Sequence, residues 1–130
     1  MKYIYTATFT TEEGSSKVFA RVPDLPGCVT SGKDLTDAID MITDAASGWL
    51  VVAENHGDPI PEPTPQSELV ADGDICSLIR IDTLKYRAQT DSRAVRKNVS
   101  LPSWMAALAD EKGINCSQVL QEGLLERLEA

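Results

Sequence analysis

Histidine and cysteine are scarce in this chain: 130 residues hold one histidine, His56, and three cysteines, Cys28, Cys76 and Cys116. An odd number of thiols without ligand-type spacing excludes a fully paired disulfide framework and argues against a zinc site, so the cysteines read as reduced, packed thiols. Aromatic residues make up only 5% of the chain, which leaves Val, Ile, Leu and Ala to fill whatever core forms. No apolar run approaches the roughly 18 residues of a membrane span. The opening "MKYIYTATFT" alternates where a secretory signal would be continuously apolar. The expectation is a cytoplasmic protein with no membrane partner.

Carboxylates are abundant. The chain has 20 Asp and Glu against 12 Lys and Arg, a formal charge of −8, and it is unevenly spread. Residues 1–83 hold 14 carboxylates and 5 cations, whereas residues 84–130 hold 6 and 7. The run "RAVRK" at 93–97 has three cations and no carboxylate. With 42% hydrophobic residues, 130 positions can bury one modest core and carry a small second unit that leans on a partner. An acidic front and a locally basic back imply two modules with different partners.

In the front module, "KYIYTATFT" and "KVFARV" alternate on either side of the turn-forming "TEEGSS", which predicts a β-hairpin. "PDLPGCVTSG" breaks the chain before a short third strand, because Pro23 and Pro26 fix φ and Gly27 can take φ > 0. Asp34 is placed as a helix N-cap, and Asp37 favours the positive end of the helix dipole. The helix beyond repeats Leu35, Ala38, Ile42, Ala45, Trp49 and Val52 at steps of three and four, widened by Ile39, Ala46 and Ala53. Its other face is acidic, with Asp37, Asp40 and Asp44. Gly57 fits the C′ position, and "DPIPEPTP" continues as an extended connector. "DICSLIRID" (74–82) supplies one more strand, with Ile75, Ser77, Ile79 and Ile81 on one side. The expected order is β-β-β-α-β, an α+β layer of one helix on one sheet.

Residues 84–94 show no clear period and read as a linker, so the predicted domains are 1–83 and 95–130. In the second, Val95, Val99 and Leu101 alternate with Arg96, Asn98 and Ser100 as a strand, with Lys97 interrupting the apolar side. Pro102 suits the first position of a helix over "SWMAALADEK", Gly113 its C′ residue and Ile114 the apolar residue of a Schellman stop. Asn115 then caps a second helix, with Gln118 as its capping-box partner, whose Leu120, Leu124 and Leu128 form one line. A strand and two helices in about 35 residues cannot bury enough surface to fold alone. Two copies paired through the strand would form an antiparallel ribbon that presents Arg96, Asn98 and Ser100 outward. Such a ribbon fits the major groove of B-DNA, where Arg pairs with guanine and Asn with adenine. Arg93 and Lys97 are the candidate phosphate contacts, together with the helix start at Asn115, Cys116 and Ser117.

A catalytic reading is poorly supported. Asp24, Cys28 and His56 are the candidates in the front module, and a Cys28 nucleophile would need His56 in the same pocket with a third group to orient the imidazole. Cys28 reads as a small core residue and His56 as a group at a helix C-terminus. The acidic helix face could hold a divalent ion for nuclease chemistry, but a docking surface for a basic partner is the better reading.

"VPDLPGCVTSG", the amphipathic helix and "GWLVVAENHGDPIPEP" together resemble the N-terminal domain of HicB-type antitoxins. "KNVSLPSWMAALADEKGINCSQVLQEGLLERL" resembles the ribbon-helix-helix domain that many of them carry. Asp34 and Asp37 stand where that family often has Thr and Glu, which leaves the capping logic intact. The resemblance implies a partly degraded RNase H-like front domain that blocks a small basic HicA-type toxin, an mRNA-cleaving RNase. It also implies a C-terminal dimer that binds operator DNA and represses the operon, with a twofold symmetry that permits tetramers. No enzyme activity, metal or cofactor is implied. An acidic surface can steer toward a basic RNase and compete with its RNA, and Asp24, Asp37, Asp40 and Asp44 are the candidate toxin contacts. The alternative is a ribbon-helix-helix regulator whose front domain senses a small ligand.

Overall fold

The computed structural model describes residues 1–69 and 75–129, so Asp74, the predicted start of the last strand, lies outside the described residues. The chain divides into an N-terminal unit, Met1–Asp91, and a C-terminal unit from Ser92 onward.

In the N-terminal unit, β1 (Lys2–Thr11) pairs antiparallel with β2 (Val18–Arg21) from Thr8↔Arg21 to Thr11↔Val18. Strand β3 (Val29–Gly32) adds to β2, and β4 (Ile75–Asp82) returns to the other side of β1, from Lys2↔Asp82 to Phe9↔Ile75. The sheet order is β3-β2-β1-β4. Strand periodicity of two places Tyr5, Ala7, Phe9, Val18, Ala20, Ile79 and Ile81 on one face, where they form the buried core with helix α1 (Leu35–His56).

The "VPDLPGC" segment is a closed turn. Val22 N–H donates to the Cys28 carbonyl at 3.0 Å, Gly27 takes φ 79°, and Leu25, 1% exposed, plugs the core beneath. Trp49 Nε1 donates to the Pro26 carbonyl and fastens this turn to α1. Gly32 lets β3 run directly under the start of the helix, since a Cβ there would stand 2.3 Å from Ala38 N. Asp34 is the N-cap, accepting from Asp37 N–H at 2.8 Å, while Asp37 Oδ2 accepts from Lys33 N–H at 2.8 Å. Gly57, at φ 67°, closes the other end.

The buried stripe of α1 differs from the predicted one. Ala38, Ile42, Ala46, Ser47, Leu50 and Ala53 are buried, whereas Leu35 is 38% and Val52 52% exposed. Steps of three and four average less than the 3.6 residues of a turn, so the predicted line drifts off the sheet toward the helix end, where Leu50 replaces Val52. Leu35 is the first residue of α1.

The predicted linker 84–94 is corrected by helix α3, Thr83–Thr90, which packs along α1. Asp82 caps it by accepting from Leu84 N–H and Lys85 N–H at 3.1 and 3.2 Å. Its attachment is polar rather than striped: Thr83 is fully buried, Tyr86 rests over Gly48, and Arg87 reaches Glu54. That is why no apolar period marks it. A short helix α2, Gln66–Leu69, follows the proline-rich connector and lies against β1 and β4.

The C-terminal unit contains α4 (Ser103–Glu111) and α5 (Cys116–Glu129). Pro102 occupies the N-cap of α4 rather than its first helical position. Gly113 at φ 66°, with Ile114 N–H donating to the Ala109 carbonyl at 3.0 Å, makes the expected Schellman stop. Asn115 Oδ1 accepts from Gln118 N–H at 3.1 Å as the N-cap of α5. The strand predicted at 95–101 is not formed within the chain: residues 91–102 join no ladder. An extended segment with no neighbouring strand has no partner for ladder hydrogen bonds.

Candidate partner-binding surfaces

The four carboxylates expected to face a partner divide into two pairs. Asp24 is tied inward, its carboxylate accepting from Thr64 N–H at 2.9 Å and from Thr64 Oγ1 at 2.5 Å, which pins the connector beside the Val22–Cys28 turn. Asp37 closes the helix cap. Asp40 and Asp44 are exposed, one turn apart on α1, and border a groove of about 780 Å³. Tyr3, Arg80, Lys85 and Tyr86 line the same groove. These residues come from α1, α3, β1 and β4, so no local motif announces them.

Sequence reasoning also missed Glu54. Its carboxylate accepts from Tyr3 Oη at 2.7 Å and from Arg87 Nη2 at 3.1 Å, and the Thr83 hydroxyl stands 3.0 Å away. One side chain thus joins β1, α1 and α3. Burial alone would raise its carboxyl, but the hydrogen bonds from Tyr3, Arg87 and Thr83 and the nearby N-terminal ammonium outweigh it and hold the group below its ordinary range. The same burial and the adjacent Glu54 push the Tyr3 hydroxyl up to about 12.

Cys28 is buried, and burial pushes its thiol up against the opposing backbone hydrogen bond. A thiol in that state is a poor nucleophile. His56 is exposed in the last turn of α1. Among the described residues, no group of three or more His, Cys, Asp or Glu side chains could hold a metal ion, and no helix is long and apolar enough to cross a membrane.

In the C-terminal unit Arg93, Arg96, Lys97, Asn98 and Ser100 are all exposed within residues 91–102. Asn115 spends its side-chain oxygen on the α5 cap, and Cys116 and Ser117 open the helix, also exposed. Amide groups in a first helical turn have no intrahelical acceptor and face outward. The apolar side chains here are exposed too. Val95, Val99, Leu101, Trp104, Met105, Leu108, Ile114, Val119, Leu124, Leu125 and Leu128 range from 41% to 90% exposed, and no described residue of this unit is buried.

Comparison with known proteins gives a consistent result. The family model described as "HicB_like antitoxin of bacterial toxin-antitoxin system" matches residues 5–127, spanning both units. The chain is similar to the Burkholderia pseudomallei antitoxin HicB, with 26% identity, 97% of this chain and 96% of that one covered, and a TM-score of 0.54. It is also similar to that antitoxin's N-terminal domain, with 25% identity over 62% of this chain and 99% of that one and a TM-score of 0.55. A toxin–antitoxin complex from Streptococcus pneumoniae shares the fold at 18% identity, with 98% and 99% covered and a TM-score of 0.58. No protein of curated function matches. The chain belongs to the HicB-like antitoxins of bacterial toxin–antitoxin systems.

Proposed function

We propose that this antitoxin neutralises a small basic HicA-type RNase through its N-terminal unit and represses its own operon through a C-terminal ribbon-helix-helix dimer. The acidic surface of α1, with Asp40 and Asp44 at its exposed centre, serves as the toxin-facing side. Asp24 and Asp37 support that surface through the connector and the helix cap. The N-terminal sheet, read as a reduced RNase H-like fold, acts in the cytoplasm as a binding scaffold rather than a catalytic one.

The observation that carries the DNA-binding half is the absence of buried residues in the described part of the C-terminal unit, despite its eleven large exposed apolar side chains. A second copy would cover them, pairing residues 95–101 into a ribbon with Arg96, Asn98 and Ser100 toward the base edges. Arg93, Lys97 and the α5 start at Asn115, Cys116 and Ser117 would hold phosphates. The ribbon's twofold axis leaves the N-terminal units available to pair into a tetramer.

The test separates the units. Residues 1–91, which include α3, should neutralise a cognate toxin in an RNA-cleavage assay without shifting operator DNA, while the full chain does both. A requirement for residues 92–130 in neutralisation would overturn the division of labour.

A further inference from the structure

The sheet has a second face, turned away from the α1 core. Its strand positions carry Lys2, Ile4, Thr6, Thr8 and Thr10 on β1, Phe19 and Arg21 on β2, Val29 and Ser31 on β3, and Cys76, Leu78, Arg80 and Asp82 on β4. The charge on this face is the reverse of the unit's net charge. Lys2, Arg21 and Arg80 are exposed here, and Lys17 joins them with Nζ 5.1 Å from the Phe19 ring centroid. These are four of the five cations in residues 1–83. The single carboxylate at these strand positions, Asp82, is engaged by the backbone N–H groups of Leu84 and Lys85. Lys2 and Arg80 also line the groove that Asp40 and Asp44 border, so the acidic surface of α1 adjoins this face at its β4 side, whereas the surroundings of Phe19 and Arg21 hold no carboxylate among the described residues.

A groove of about 460 Å³ crosses this face, lined among others by Thr8, Thr10, Phe19, Arg21, Val29 and Ser31. It combines an aromatic ring, a guanidinium whose Nε donates to the buried Thr8 hydroxyl at 3.4 Å, and the hydroxyls of Thr10, Thr30 and Ser31. Those groups match the three parts of a nucleotide: a base can stack on the ring, a phosphate can meet the guanidinium, and a ribose hydroxyl can bond to Thr or Ser. We propose that this outer sheet face binds single-stranded RNA. A sheet presents side chains on a flat platform, and single strands are held by stacking together with a cationic track. The groove around Phe19 and Arg21 has no carboxylate in its lining among the described residues, so its binding of RNA does not depend on the acidic docking surface that adjoins the β4 side of the face. An acidic polypeptide would satisfy the cations but has less use for the hydroxyl-lined groove.

Fluorescence anisotropy of the full chain with a labelled mixed-sequence single-stranded RNA 12-mer tests the proposal, with excess unlabelled duplex DNA added to occupy the C-terminal unit. The unmodified chain should bind saturably. Arg21→Ala with Arg80→Ala should weaken binding at least tenfold, and should flatten the log–log salt dependence by about 1.4, roughly 0.7 for each cation removed. Phe19→Ala should weaken binding severalfold with the salt slope unchanged, and Arg21→Lys with Arg80→Lys should restore the slope. Circular dichroism confirms that each variant is folded. Absence of saturable binding, or binding indifferent to these changes, would overturn the proposal. So would a change in assembly mass by light scattering in the double Ala variant at unaltered RNA affinity, which would assign the face to a protein contact.

Discussion

Replacing Glu54 by alanine removes the group on which β1, α1 and α3 converge. Tyr3 Oη loses a charged acceptor at 2.7 Å, a bond of a class worth about 1.5–3 kcal/mol. Thr83 loses less, because its hydroxyl also lies 3.1 Å from the Met1 carbonyl and can turn to it. Arg87 contributes modestly: its side chain is 36% exposed, and solvent screens the pair. The combined loss should be about 2–3 kcal/mol for the Met1–Asp91 unit. In a domain of this size that corresponds to a fall in Tm of roughly 10–20 °C. Thermal and urea unfolding of residues 1–91, followed by circular dichroism, measures it, with the exposed Asp44→Ala as a control expected within about 0.5 kcal/mol of the unmodified fragment. Glu54→Gln keeps an acceptor and should lose about half as much as Glu54→Ala. A loss below about 0.5 kcal/mol for Glu54→Ala would refute the assignment of α3 to the N-terminal unit through this carboxylate.

Acid should find the same weakness. The carboxyl of Glu54 is held below its ordinary value of 4.5 in the folded unit, so its contribution is complete above that pH and is lost as pH falls below it. Urea midpoints of Glu54→Gln should therefore depend less steeply on pH in that range. Tyr3 acts at the opposite end: with its hydroxyl raised from 10.0 to about 12, stability should decline as pH rises through that window, and Tyr3→Phe should make the decline shallower. Gly32→Ala drives a Cβ to within 2.3 Å of Ala38 N, against backbone that cannot yield, and should cost about 3 kcal/mol in equilibrium unfolding. Arg96→Ala and Asn98→Ala should each weaken operator binding by about 1–3 kcal/mol in gel-shift titrations, whereas Lys97→Ala should lower affinity without changing sequence preference. Unchanged operator shifts for both Arg96→Ala and Asn98→Ala would remove the ribbon's reading face.

Local chemistry was legible in the sequence; assembly across distant segments was not. Period-two alternation marked β1, β2 and β4, and the caps at Asp34, Gly57, Gly113 and Asn115 all stand where residue type places them. Helix α3 was missed because it is anchored by an aromatic ring over Gly48 and an ion pair with Glu54, 33 residues away, rather than by an apolar stripe. Its N-cap, Asp82, read only as the last residue of the preceding strand, and a cap residue without a following period does not define a helix. Asp24 looked like a surface acid beside two prolines, and only the return of the connector shows its two bonds to Thr64. The outer sheet face was hidden for a related reason. Lys2, Arg21 and Arg80 share it through strand pairings that join residues up to 80 positions apart.

The contrast between a unit with a core and a unit without one also sets how each responds to dilution. Met1–Asp91 holds a core of its own, so its folding would be unimolecular and its ordered fraction indifferent to how much antitoxin is present. On the dimer reading, order in the C-terminal unit is a mass-action quantity: well below the dissociation constant, halving the protomer concentration cuts the dimer about fourfold. As antitoxin is depleted, operator occupancy would therefore collapse while each surviving chain still held a competent toxin-binding unit. The operon would be released before inhibition was exhausted, and that order of events would follow from how the eleven exposed apolar side chains of one small unit are distributed.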